Sequence, residues 1–179
     1  MNKKIVTLPD LVLRKHAGIV SSDEFGSKKL LGIIKDMSDA LRTTSDGIGI
    51  AAPQIGVSKR IFLASEEALA IDEDRAETSE IAKKSQKKKW LYHVFINPEI
   101  LKIAAKKESA SEGCLSVPGV YGLVPRATKI KVRACDEHGK RFERGASKLF
   151  ARLLQHEIDH LEGTLFIDKA TKLVTIEKK

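Results

Sequence analysis

The stretch LLQHEIDHLEG, residues 153–163, holds two histidines four positions apart, with a glutamate directly after the first. In a helix, positions i and i+4 lie on one face, so His156 and His160 can grip a single cation. Glu157 stands beside them, near enough to the edge of such an ion to hydrogen-bond a water held there. Leu149 and Leu153 precede His156 by seven and three positions and share its face, which supplies the apolar neighbours of a partly desolvated pocket. A chance match on a charged helix would not gather all of these on one stripe.

A catalytic ion needs three protein ligands and one open position. The metzincin pattern would continue with a glycine and then a histidine; Gly163 is in place, but Phe166 occupies the ligand position and cannot coordinate. A thermolysin-like glutamate on a further helix is also missing. Glu162 and Asp168 lie too close to the pair, and Glu177 leaves no room for the helix that should carry it. The upstream segment Glu112-Gly113-Cys114-Leu115-Ser116, read as a loop before Val117-Pro118-Gly119, offers a thiol instead. A thiolate suits ferrous iron or zinc, and the ion's charge would keep it deprotonated. Cys135 falls on a strand-like run beside Ala134 and reads as core, while His16, His93 and His138 read as surface or satisfied core histidines. Cys114 is the best third ligand.

A further cluster, Gly47 to Gly56 (GIGIAAPQIG), combines glycines that let a backbone approach a ligand with Gln54, a neutral amide donor that does not compete for a cation. It is not a phosphate loop, because the lysine and the dinucleotide-fold context are absent.

These residues need elements to hold them. SKKLLGIIKDMSDALRT, residues 27–43, places Leu30, Leu31, Ile34, Met37 and Leu41 at helical spacing. A second helix is expected over Ala146–Leu161 and carries the histidine pair. Leu91–Ile96 and Lys129–Cys135 read as strands, the latter with Ile130, Val132 and Ala134 on one face. Asp136–Lys140 reads as a hairpin turn with Arg141–Arg144 returning, and Pro9-Asp10 as a turn after a short extended piece. Residues 66–89 are acidic at the front and basic at the back with no apolar stripe, so a solvated, exposed insertion is expected there. The fold class expected is α+β: one compact domain, residues 1–179, of mostly antiparallel or mixed sheets around a central helix bearing the histidine pair.

Composition sets the bounds. The 179 residues are 42% hydrophobic, enough for one real core. No apolar run is long enough for a membrane span, and the first residues lack a signal peptide's apolar stretch, so a cytoplasmic location is expected. Two cysteines make no disulfide framework. The net charge of +8 could meet RNA, but the lysines are scattered and stacking aromatics are few, so a solubilising surface is the better account.

The blocks GIGIAAPQ, EGCLS and QHEIDHLEG, in this order, resemble the three signature motifs of bacterial-type peptide deformylases, and Pro9-Asp10, Leu13-Arg14 and Ile96–Glu99 are also similar to that family. The likeness runs from about Ile5 to Asp168. It implies a hydrolase that removes the formyl group from N-formyl-methionyl nascent peptides, using a water activated by an ion on Cys114, His156 and His160. Glu157 would be the general base and acid, and the Gln54 side chain and Leu115 backbone N–H the oxyanion donors. Ile48, Leu149 and Leu153 are candidate walls for the methionine side chain, with the Gly49 backbone pairing to the substrate main chain. The implied cofactor is Fe2+, with Ni2+, Co2+ or Zn2+ as substitutes. The partners expected are the nascent peptide and a transient ribosome contact, with no DNA or membrane, for a monomer in the cytoplasm or, in a eukaryote, an organellar matrix. An HExxH endopeptidase with a cysteine ligand and a catalytically silent metal-binding relative are the rival readings. Two departures from the family stand out: the long 66–89 insertion, and Tyr121 where some members carry an arginine.

Overall fold

The computed structural model describes residues 3–45, 47–66, 68 and 91–176. Apart from Glu66 and Ala68, the charged insertion expected over 66–89 lies outside the described residues.

Helix α1 (Lys28–Arg42) begins where Ser27 caps it, its Oγ accepting from the Leu30 N–H at 3.1 Å. Leu30, Ile34, Met37 and Leu41 are buried along one stripe, while Leu31 turns outward at 41% exposure. Five strands form one antiparallel sheet in the order β1-β2-β3-β6-β7. They are β1 (Gly49–Ala51), β2 (Ile61–Ser65), β3 (Tyr92–Ile103), β6 (Lys129–Cys135) and β7 (Arg141–Ser147). A second antiparallel sheet orders β4 (Lys107–Cys114), β5 (Val117–Ala127) and β8 (Lys172–Thr175) as β4-β5-β8.

Strand β2 is buried at all five positions because it is covered on both faces. Phe62 and Ala64 pack with Phe95, Val132, Phe150 and Leu154, whereas Ile61 and Leu63 pack with Ile34, Met37, Leu41 and Ile96. Phe62 stacks on Phe95 with centroids 4.6 Å apart.

Helix α2 (Lys148–Leu161) is the central element, touching β1, β2, β6 and β7 of the larger sheet and β5 of the smaller. It starts two residues later than the sequence suggests, since β7 runs into it without a loop and Lys148 makes the turn at φ 46°. Gln155 pins it to the end of β5: its amide oxygen accepts from the Ala127 N–H and its amide nitrogen donates to the Ala127 carbonyl, both at 3.0 Å.

More than one sheet was expected, but the strands of the second were not placed. Cys114 ends a strand rather than sitting in a loop: Cys114 and Val117 pair across a tight turn of Leu115 and Ser116. Strand β4 reads Lys-Glu-Ser-Ala-Ser-Glu-Gly-Cys, with no apolar alternation, and β5 contains Pro118 and Pro125, both discouraging for a strand. Tertiary pairing overrides those local preferences. Strand β3 likewise continues past Pro98 to Ile103 through two register shifts. Asn97 takes a left-handed φ of 49° there and clasps Val20, accepting from its N–H at 2.9 Å and donating to its carbonyl at 2.8 Å.

Candidate metal centre and active site

Helix α2 projects His156 and His160 toward the end of β4, where Cys114 completes the set. The ligand atoms of Cys114, His156 and His160 all lie within 4.8 Å of one another, with Cys114 Sγ 3.3 Å from His160 Nε2. A first-row ion with bonds of about 2.0–2.3 Å spans such a triangle. Sulfur and two imidazoles form a donor set suited to iron or zinc.

Each imidazole is held differently. His156 Nδ1 is 3.0 Å from Glu112 Oε2, which leaves Nε2 free to face a cation. Burial opposes charge on His156, but Cys114 and Glu112 outweigh it and lift its pKa to about 10. The negative field that would keep a proton there also favours a metal cation. His160 is buried, and desolvation followed by the nearby His156 and Arg126 charges lowers its pKa well below the ordinary value, so its ring is neutral and able to ligate. Phe166, which stands where a metzincin ligand would be, is buried and lies against the His156 ring at 6.3 Å between centroids.

Glu112 is the anchor of the site. It is 5% exposed and receives Arg126 Nε and Nη2, each at 2.9 Å, and Arg152 Nη1 at 2.8 Å. Burial raises its pKa, yet the hydrogen bonds from His156 and Arg126 win and lower it to about 2. Arg126 also reaches Asp159, which Lys169 contacts at 2.6 Å.

Gln54 enters from the 3₁₀ turn Ala52–Ile55 after β1. Its oxygen accepts from the Ala51 N–H at 2.8 Å, which fixes the amide so that Nε2 points to Ser116 Oγ (3.2 Å) and Cys114 Sγ (3.6 Å). Glu157 is 2% exposed, and among the described residues its Oε2 has no hydrogen-bond partner. Burial raises its pKa to about 7. A Cβ at Gly49 would stand 2.6 Å from Glu157 Oε1 and 2.7 Å from Leu153 Cδ1, so a side chain there would displace the Glu157 carboxylate.

Above this floor opens a cleft of about 510 Å³, walled by Ile48, Leu115, Leu149 and Leu153 and lined also by Ser111 and Tyr121. The structure therefore brings together every site residue expected from sequence: Cys114, His156, His160, Glu157, Gln54, Leu115, Ile48, Gly49, Leu149 and Leu153. His16 and His138 lie exposed at the surface, and Cys135 is half-buried against the α1 side of the sheet.

The polypeptide deformylase family model matches residues 2–175. The chain belongs to the polypeptide deformylase family. It is accordingly a metal-dependent hydrolase that removes the N-terminal formyl group from nascent polypeptides. A peptide deformylase of Pseudothermotoga lettingae is 41% identical over 181 residues, covering 100% of this chain and 90% of that protein. A peptide deformylase from Legionella pneumophila superposes with a TM-score of 0.75 at 38% identity, covering 96% of this chain and 87% of that one. A class I type b peptide deformylase from Acinetobacter baumannii with Met-Ala-Ser bound gives 0.76 at 29% identity, covering 94% and 99%.

Sequence reasoning missed Glu112, Arg126, Arg152 and Asp159, which support the ligands rather than provide them. One signal was available: once Cys114 is placed on a strand, Glu112 two residues earlier shares its face.

Proposed function

We propose that Cys114, His156 and His160 hold one divalent cation, ferrous iron in the cell, with Zn2+, Ni2+ or Co2+ able to replace it. The observation that carries this is the convergence of one sulfur and two imidazoles within 4.8 Å at the floor of a cleft. When bound, such an ion supplies Lewis-acid polarisation and lowers the pKa of a water.

The chain's own groups do the rest. Gln54 Nε2, locked by its bond to Ala51, donates to the oxygen on which charge builds, and the Leu115 N–H is the second donor. Glu157 Oε2 takes the water's proton and passes it to the departing amine; a carboxyl buried to a pKa of about 7 is suited to hold it between the two steps. Ile48, Leu149 and Leu153 form the walls for the methionine side chain, and the Gly49 main chain pairs with the peptide. The orphaned Glu157 and the aimed Gln54 amide have no role in a silent metal-binding protein, and family membership sets the endopeptidase aside. We read residues 1–179 as one catalytic domain working as a monomer. It would work in the cytoplasm or, in a eukaryote, an organellar matrix, with the +8 charge favouring brief contact with the ribosome. Among the described residues no helix is long and apolar enough to cross a membrane.

The test is anaerobic formate release from a formyl-Met peptide, with and without a chelator. Activity lost on chelation and restored by Fe2+ is expected; chelator-resistant turnover would remove the ion from the reaction. Glu157→Ala should keep its metal and lose nearly all turnover, and an active variant would release Glu157 from its role. Gln54→Ala should cost about 3 kcal/mol in kcat; an unchanged kcat would contradict its placement.

A further inference from the structure

The solvent face of the smaller sheet is chemically unlike that of the larger one. Strand β6 shows water Lys129, Lys131 and Arg133, the alternation expected of a half-buried antiparallel strand. On the smaller sheet, Val174 pairs with Tyr121 and the Ile176 N–H donates to the Gly119 carbonyl, so Tyr121, Leu123, Val174 and Ile176 share one face, with Lys172 beside Leu123 at its far end. Their exposures are 39%, 41%, 51% and 56%. These are contiguous rather than scattered, and a contiguous exposed apolar strip marks a contact surface.

The strip meets the site at its middle. Tyr121 borders the cleft, and its ring covers Gly113, where a Cβ would lie 2.9 Å from Cε1. Beside the strip, the same face of β4 carries small residues at Ser109, Ser111 and Gly113, so nothing tall separates the cleft wall at Ser111 and Gly113 from the ridge. From the level of Ile176 to that of Leu123 the ridge is about 13 Å long, the span of roughly four residues of extended chain. A peptide whose formylated end reaches the floor can leave the cleft past Tyr121, and its alternate side chains then lie against the ridge.

We propose that Leu123, Val174 and Ile176 form an apolar rail for the downstream part of the nascent polypeptide. The rail gives the enzyme a preference for extended substrates with apolar side chains several residues after the methionine. The occupant is the substrate itself, because the strip is continuous with the cleft that takes its first residue. This rests on the proposed placement of the formyl group at the Cys114–His156–His160 floor.

The test compares three substrates on the iron-loaded full chain: formyl-Met-Ala-Ser, and two formyl octapeptides carrying either leucine or serine at alternate positions from the fourth onward. For the wild type, kcat/KM for the leucine octapeptide should exceed that for the serine one by about five- to tenfold, chiefly through KM. In Leu123→Ser/Val174→Ser/Ile176→Ser that ratio should fall below about 2, whereas Leu123→Met should retain it. The ratio is internal to each preparation, so partial misfolding does not mimic the effect. A wild-type ratio near 1, or a triple variant that keeps the preference, would overturn the rail. So would sedimentation showing that the wild type self-associates through this face and the triple variant does not, since a second copy would then be the occupant. Failure of the wild type to release formate from formyl-Met-Ala-Ser would instead strike at the placement of the site.

Discussion

Glu112 and Glu143 are two carboxylates that both gather cationic partners and both have a pKa lowered to about 2. They arrive there by different routes. Glu143 lies on β7, 39% exposed, and takes hydrogen bonds from Lys131 and then Arg133 with little opposition from burial. Glu112 is 5% exposed beside an Arg126 that is 4% exposed, and its hydrogen bonds must first overcome a large desolvation penalty. Water can replace Glu143's partners at little cost. No such substitute reaches Glu112, so its partners, His156 among them, are fixed in place. The same pKa thus marks a solvated surface pair in one region and a rigid brace for a metal ligand in the other.

Removing the buried member should produce the largest effect. Glu112→Ala leaves Arg126 and Arg152 short of their shared acceptor and should destabilise the metal-free fold by about 3–5 kcal/mol in urea unfolding. A loss under about 1 kcal/mol would erase the contrast. Glu112→Gln should lower metal affinity by about 10- to 100-fold in competition with a chelator, because His156 loses the carboxylate that orients its ring; unchanged affinity would mean that His156 needs no brace. Glu143→Ala should leave Tm within about 2 °C of the wild type, and a larger drop would show that exposure is not what separates the two sites.

The smallest effect concerns Glu24, another surface carboxylate. A hydrogen bond from Lys59, followed by the Ser21 N–H and hydroxyl, lowers its pKa to about 2. A depressed carboxyl stabilises the fold above its ordinary value near 4.5, and that contribution disappears as pH falls through 2. The Tm difference between wild type and Glu24→Gln should be greatest above pH 4.5, small even there, and vanish toward pH 2. A difference independent of pH would assign it to packing.

The parts of the site carried by α2 were legible in the sequence because a helix has a fixed period. His156, Glu157, His160, Leu149 and Leu153 could be set on one face before any coordinates existed. Cys114 could be found from what iron or zinc requires of a ligand. The β4–β5 hairpin was opaque for the opposite reason: its residues are small, polar or proline, and its strand geometry exists only through pairing. With that hairpin unread, Glu112 had no visible link to His156, nor Arg126 to Asp159. The apolar strip was hidden as well, since Leu123 and Val174 become neighbours only when β8 docks on β5.

The central claim is that one sulfur and two imidazole nitrogens share a cation. X-ray absorption on the zinc-loaded protein tests it most directly. The account predicts a single sulfur at about 2.3 Å with two nitrogens at about 2.0–2.1 Å, the sulfur contribution vanishing in Cys114→Ala. A wild-type spectrum with no sulfur around the zinc would contradict it.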